Sequence, residues 1–175
     1  EIESAKRLAQ KAHCKWQIVK ISLPWKGSAL LEKKISVPEY KKRSVIPSTY
    51  VPARNIIFLS FALSFAEASG ACAIYIGAHA QDYSGYPDCR PEFFKAYEKV
   101  ISCGTKAGIE KKVLLIKTPL LNKTKSQIIK LGARLGVPFE LTWSCYRGGN
   151  SPCGRCDSCY FRAKGFIEAG IRDPL

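Results

Sequence analysis

Apolar positions along the chain change period several times, and each change marks an element. Residues 2–13 place Ile2, Ala5, Leu8, Ala9 and Ala12 on one helical face, with no N-cap residue ahead of them. Residues 15–22, KWQIVKIS, alternate apolar and polar side chains and predict a strand. From Leu23 to Pro52, prolines, Gly27 and charges predict a long irregular segment, and irregular segments of that length are more often functional than ornamental. Pro52 opens a predicted helix over 53–68, with Ile56, Phe58, Leu59, Ala62, Leu63 and Phe65 apolar and Gly70 as its stop.

The second half repeats a strand–helix rhythm. ACAIYIGA (71–78) and VLLIKTP (113–119) are nearly continuous apolar runs, the pattern of buried parallel strands. Pro91 starts a helix over about 91–103, and Thr124-x-x-Gln127 is a capping box before a helix that runs to Leu135, with Gly136 after it. A closing helix is expected near 157–169, stopped by Gly170. This alternation predicts an α/β fold with a parallel sheet, divided into residues 1–142 and a C-terminal metal-binding segment and helix at 143–175.

Composition narrows the class. The 175 residues are 46% hydrophobic, enough to bury a core, and no apolar run reaches membrane-spanning length. The opening residues are not a signal peptide, so a cytoplasmic, reducing location with no membrane partner is expected. There is no methionine, and the first helix has no cap, so the native chain is expected to begin upstream of Glu1. Lys and Arg outnumber Asp and Glu by 28 to 14, a net charge of +14 that attracts polyanions. Only Lys41-Lys42-Arg43 and Lys123/Lys125/Lys130 cluster, so a solvated basic surface is favoured over a nucleic-acid footprint.

The cysteines carry the clearest chemistry. Cys145 precedes Cys153-Gly-Arg-Cys156-Asp-Ser-Cys159, four of the eight cysteines within fifteen residues. Such spacing closes on one tetrahedral site for a soft metal, with Zn²⁺ its usual occupant. Gly154-Arg155 makes the tight turn between ligands, and Cys159 falls in the first turn of the next helix, where the dipole favours a thiolate. The alternative is a pair of disulfides, for which cysteines so closely spaced are awkward partners. Of Cys14, Cys72, Cys89 and Cys103, three lie in patterns where a small buried thiol is expected.

Two further segments have binding chemistry. The loop from His79 to Arg90 leaves the end of a predicted strand, where open parallel sheets take ligands. Its Asp82, Tyr83, Ser84, Tyr86, Asp88 and Arg90 suit a flat polar heterocycle, tyrosines stacking on the ring and Asp accepting from exocyclic N–H groups. An ordinary surface loop that caps the helix at Pro91 is the alternative. Arg54 and Lys125 each stand in the first turn of a predicted helix, where anions are attracted. His13 and His79, the two histidines, are given no catalytic role.

TYVPARNIIFLSFAL (49–63), DYSGYPDCRPEF (82–93), TPL followed by Lys125, and LTWSCY with CGRCDSC together resemble the 7-cyano-7-deazaguanine synthase family, PP-loop ATP-pyrophosphatase-like ligases of queuosine precursor biosynthesis. The resemblance implies a Rossmann-like adenine-nucleotide-hydrolase sheet with a structural C-terminal zinc site. It also implies ATP-dependent conversion of a deazapurine, 7-carboxy-7-deazaguanine, and ammonia to the nitrile through adenylated intermediates, with Mg²⁺ accompanying ATP. A homodimer is expected as well, because a sheet lacking its first strand exposes an edge that needs a partner. On that resemblance Arg54, Asn55 and Lys125 face ATP phosphates, while Asp82, Tyr83, Ser84, Tyr86, Asp88 and Arg90 hold the deazaguanine. The family's Ser-Gly-Gly-x-Asp-Ser phosphate loop, after its first strand, appears nowhere in these 175 residues. This stretch is therefore expected to be inactive without it. Two other functions remain open, a basic zinc-containing nucleic-acid-binding module and a related PP-loop enzyme that modifies tRNA.

Overall fold

A computed structural model describes residues 1–32, 34–41, 46–79 and 86–175. The chain forms two compact units, one of Glu1–Arg43, Ser48–Tyr50 and Lys125–Leu175, the other of Ser44–Pro47 and Val51–Thr124.

The second unit is a βαβ arrangement preceded by a helix. That helix, α2 (Arg54–Ser69), runs to Gly70, which ends it in the left-handed region at φ 69°. Strands β1 (Ala73–Tyr75) and β2 (Leu115–Lys117) pair in parallel, Ile74 opposite Ile116. Parallel neighbours need a long crossover. Here it contains α3 (Pro91–Gly104) and the single turn α4 (Lys106–Ile109). Thr105 caps α4 by accepting from the Gly108 N–H at 2.9 Å. Leu59, Leu63 and Ala66 of α2 meet Ile74, Ile116, Phe94, Tyr97 and Ile101 in one core. Each large apolar side chain fully buried there contributes about 1.5–3 kcal/mol.

Both strands are buried on one face only. Ile74 and Ile116 point into the core, whereas Tyr75 is 73% exposed and Leu115 38%. The apolar runs predicted strands buried on both sides, but in the described residues elements cover only the face of Ile74 and Ile116. The predicted strand at 15–22 does not form. The segment takes no ladder partner among the described residues, and Trp16, Ile18 and Val19 are exposed. Alternation prepares a strand, but backbone pairing makes one. The helix expected over 53–68 begins one residue later, because Ala53 adopts φ 54° and Arg54 N–H bonds the Val51 carbonyl at 3.2 Å.

The first unit contains α1 (Ile2–Lys11), α5 (Lys125–Arg134) and α6 (Asp157–Ala169). The apolar stripe of α1 is at most half-buried, and Ile2 is exposed. At Gly165 α6 touches α5 so closely that a Cβ there would lie 2.7 Å from Lys125 Cβ and 2.9 Å from Ile129 Cδ1. The C-terminal segment is tied back by Arg162, whose guanidinium grips both carboxylate oxygens of Asp173 at 2.7 Å and donates to Thr142 Oγ1 at 2.7 Å. This forked geometry makes it one of the stronger ion pairs open to a protein.

The segment from Leu23 to Pro52 is irregular in its described residues, as predicted, yet it is packed. Ser28 and Thr49 are almost fully buried, and Ala29 N–H bonds the Ser48 carbonyl at 2.8 Å. Among the described residues no helix is long and apolar enough to cross a membrane.

Candidate functional site

The four cysteines converge. Cys145, Cys153, Cys156 and Cys159 bring their sulfurs within 4.8 Å of one another, and Cys156 has no exposed surface. Cys145 comes from the turn after Trp143, whose indole N–H holds the Cys145 carbonyl at 3.1 Å. Gly154 adopts φ 70°, a conformation that costs a side-chain-bearing residue about 1 kcal/mol, and it turns the chain between Cys153 and Cys156. Cys156 then occupies the N-cap position of α6 without a side-chain capping bond, and the helix's first turn contains Cys159.

Backbone donors point at this sulfur cluster. The Arg155 and Cys156 N–H groups approach Cys153 Sγ at 3.5 and 3.4 Å, and the Cys153 N–H approaches Cys145 Sγ at 3.4 Å. Burial disfavours the Cys153 thiolate, but the Arg155 and Cys156 N–H groups, together with the Cys145 and Cys156 thiols, outweigh it and bring the thiol down to about 6. Cys159 behaves oppositely to the expectation from the helix dipole. Burial, then its contact with Cys156, pushes it up to about 12. A dipole effect confined to a first turn does not offset removal from water.

All eight cysteines are free thiols, so the disulfide alternative is not what the structure shows. Tetrahedral bonds of about 2.3 Å to one zinc ion would place sulfurs about 3.8 Å apart. Cys153 and Cys159 Sγ are 3.9 Å apart. Four sulfurs, three of them buried, with amide donors already aimed at them, fit a closed thiolate metal site. Of the other cysteines only Cys89 is buried; Cys14, Cys72 and Cys103 are exposed, against the expectation of three buried thiols. Cys103 bonds back to the Val100 carbonyl on α3, and Cys72 lies just ahead of β1 rather than within it.

A strap crosses the cluster, and sequence reasoning did not foresee it. Val37 packs against the cysteines and its carbonyl accepts from Arg147 at 2.9 Å. Tyr40 N–H bonds the Arg155 carbonyl at 2.9 Å, and its ring stacks on Tyr160 at 3.6 Å. Nothing in the sequence set 37–40 apart, since prolines and aromatics recur along the same segment at Pro24, Trp25, Pro47 and Tyr50.

In the second unit the start of α2 meets the turn Pro87–Cys89. The Asn55 N–H bonds Asp88 Oδ2 at 3.0 Å, and the Asn55 side-chain amide donates to the Asp88 carbonyl and to Cys89 Sγ, both at 3.1 Å. Asn55 and Asp88 are buried, and Arg54 is the first residue of the helix, as expected. Tyr86 and Arg90 flank this turn, and Arg90 is the N-cap residue of α3. Asp82, Tyr83 and Ser84 lie outside the described residues. Lys125 opens α5 in the other unit, as expected. His79 is buried and bonded at the end of the β1 segment.

Residues 1–170 match the family described as Queuosine biosynthesis protein QueC. The chain belongs to that family. It is 53% identical over 176 residues to 7-cyano-7-deazaguanine synthase 2 of Desulfitobacterium hafniense, a match that covers all of this chain and 75% of that protein. Identity to the 7-cyano-7-deazaguanine synthase of Acetivibrio thermocellus is 54%, covering 79% of it, and to that of Thermoplasma acidophilum 51%, covering 74%. The QueC match takes in both units, since it spans the Asn55–Asp88 contact and the whole cysteine cluster.

Proposed function

We propose that this chain is the synthase of 7-cyano-7-deazaguanine, acting on 7-carboxy-7-deazaguanine and ammonia with two ATP. The observation that carries the proposal is the family match along residues 1–170, joined to about half-identity with synthases of that name. A carboxylate is a poor electrophile. Attack of its oxygen on the α-phosphorus of ATP expels pyrophosphate and gives an acyl adenylate. Ammonia displaces AMP and leaves the amide. A second ATP adenylates the amide oxygen, and loss of AMP with the remaining N–H protons leaves the nitrile.

Arg54 and Lys125 are assigned to ATP and to the charge that develops on its phosphates, with Mg²⁺ as its companion; Asn55, also expected there, has its N–H donors engaged by Asp88 and Cys89. The loop that ends at Arg90 is assigned to the base. Asp82, Tyr83, Ser84, Tyr86 and Arg90 recognise it, and Asp88 belongs to the same site at the root of the loop. Cys145, Cys153, Cys156 and Cys159 hold Zn²⁺ as a structural brace, because four sulfur ligands leave no position open for water. The wider fold is read as a Rossmann-like PP-loop sheet in a cytoplasmic homodimer, with a nucleotide-handling portion at 1–142 and the braced segment at 143–175. No nucleic acid or membrane partner is assigned.

The test incubates the full-length protein with 7-carboxy-7-deazaguanine, MgATP and ammonium. The expected products are the nitrile, read by mass, and two AMP per nitrile. AMP release independent of the base would overturn the substrate assignment.

A further inference from the structure

We infer, resting on the assignment of the 82–90 loop to the base, that Asp88 and Asn55 act together as one positioning clamp. The clamp fixes the root of the base loop to the start of the helix that begins with Arg54.

Helix α2 has a deficiency at its start. Its N-cap residue is Ala53, which has no side-chain acceptor, and Ala53 is held at φ 54°. The first N–H groups of a helix need acceptors from elsewhere. Asp88, 33 residues away, supplies one by taking the Asn55 N–H on Oδ2. Its carboxylate then lies at the positive end of the helix, where a negative charge is favoured.

Asn55 completes the reciprocal half. Its side-chain amide donates to the Asp88 carbonyl and to Cys89 Sγ, so three contacts join the two segments. Both residues are buried, Asn55 7% and Asp88 6% exposed. An acceptor buried in this way is costly to leave unpaired. The turn they fix is short and already bonded internally, Cys89 N–H to the Tyr86 carbonyl at 3.1 Å. Pro91 then starts α3, whose Phe93 N–H bonds the Arg90 carbonyl at 3.1 Å. Tyr86 and Arg90 therefore leave a turn locked between two helix starts. An Asp88 engaged in this way orients the residues that touch the base.

A positioning role differs from a ligand role in what it requires of Asp88. A cap needs an oxygen acceptor, which an amide also offers, whereas holding exocyclic N–H groups of a base gains from the full negative charge. It also makes Asn55 as important as Asp88.

The experiment compares Asp88→Asn, Asp88→Ala, Asn55→Ala and the Asp88→Ala/Asn55→Ala double variant. Steady-state constants are measured for 7-carboxy-7-deazaguanine with MgATP and ammonium, and hydrogen exchange is read at the Asn55 amide. Asp88→Ala and Asn55→Ala are each expected to lose about tenfold in kcat/KM for the base, the scale of one lost buried hydrogen bond. Asp88→Asn is expected to stay within about threefold of the wild type, since it keeps the acceptor. The double variant should be no worse than the weaker single one, because the two residues serve one contact.

A loss in Asp88→Asn equal to that in Asp88→Ala, with Asn55→Ala unaffected, would overturn the clamp and make Asp88 a direct ligand. Exchange at the Asn55 amide keeps the clamp testable if the wild type shows no turnover of this base. Faster exchange in Asp88→Ala than in Asp88→Asn supports the clamp, and equal exchange in both and in the wild type overturns it. If Asp88→Ala does not fold, Asn55→Ala against Asp88→Asn gives the same contrast.

Discussion

Cys153 and Cys159 have the same side chain six positions apart, yet their surroundings drive them in opposite directions, one thiol to about 6 and the other to about 12. A metal takes thiolates, so the proton on Cys159 has to leave when an ion binds at neutral pH, whereas Cys153 is already ionised there. Lower pH adds proton competition and so weakens binding. Zn²⁺ titrated into chelator-stripped protein at about pH 7 is expected to release protons, and its affinity to fall more steeply below about pH 6, where Cys153 is protonated too. Competition against a chromophoric chelator across that range reads the affinity, and a flat profile would contradict the site. The convergence of the four cysteines was legible because metal spacing is local. Their unequal acidity was not, since it depends on how deeply the fold buries each sulfur and on which N–H groups and neighbouring thiols it aims at them.

Among the elements, those with clear stop and start signals came out close to their expected bounds. Helix α2 ends at Gly70, α3 starts at Pro91, and α6 ends at Gly170. Residues 15–22 had the right alternation but no partner strand among the described residues, which a single segment cannot reveal. The N-terminal cap of α2 was also illegible, because Asp88 comes from another part of the chain; the hint was an alanine where a Ser, Thr or Asp belongs. Close approach of α5 and α6 sits on Gly165. Replacing Gly165 by Ala would gain helix propensity of about 1 kcal/mol but force the helices apart at Lys125 Cβ, a strain of about 1–3 kcal/mol. The net expectation is a loss of about 1 kcal/mol, read as a lower urea midpoint. At Gly170 a Cβ would meet nothing within 4 Å, so there only the left-handed backbone at φ 69° resists a side chain.

At the scale of the whole molecule, the family was legible in motifs and the α/β class in the alternation of helices with apolar strands. The described sheet nevertheless has only two strands and an exposed outer face. The strap at 37–40 was invisible because its partners, Arg147, Arg155 and Tyr160, lie more than a hundred residues later. Metal removal therefore should reach beyond the cysteines. Treatment with a strong chelator is expected to speed hydrogen exchange at the Tyr40 amide, which the Arg155 carbonyl holds at 2.9 Å; exchange read by mass spectrometry checks it. Equal exchange with and without metal would show that the strap holds independently of the cluster. The 110-residue separation of Val37 and Arg147 has a further consequence for synthesis. A ribosome makes the strap long before its seat, so Val37 and Tyr40 must wait, uncovered, while everything between is translated. This early segment locks only once Cys159 has left the ribosome and the cluster can close beneath it.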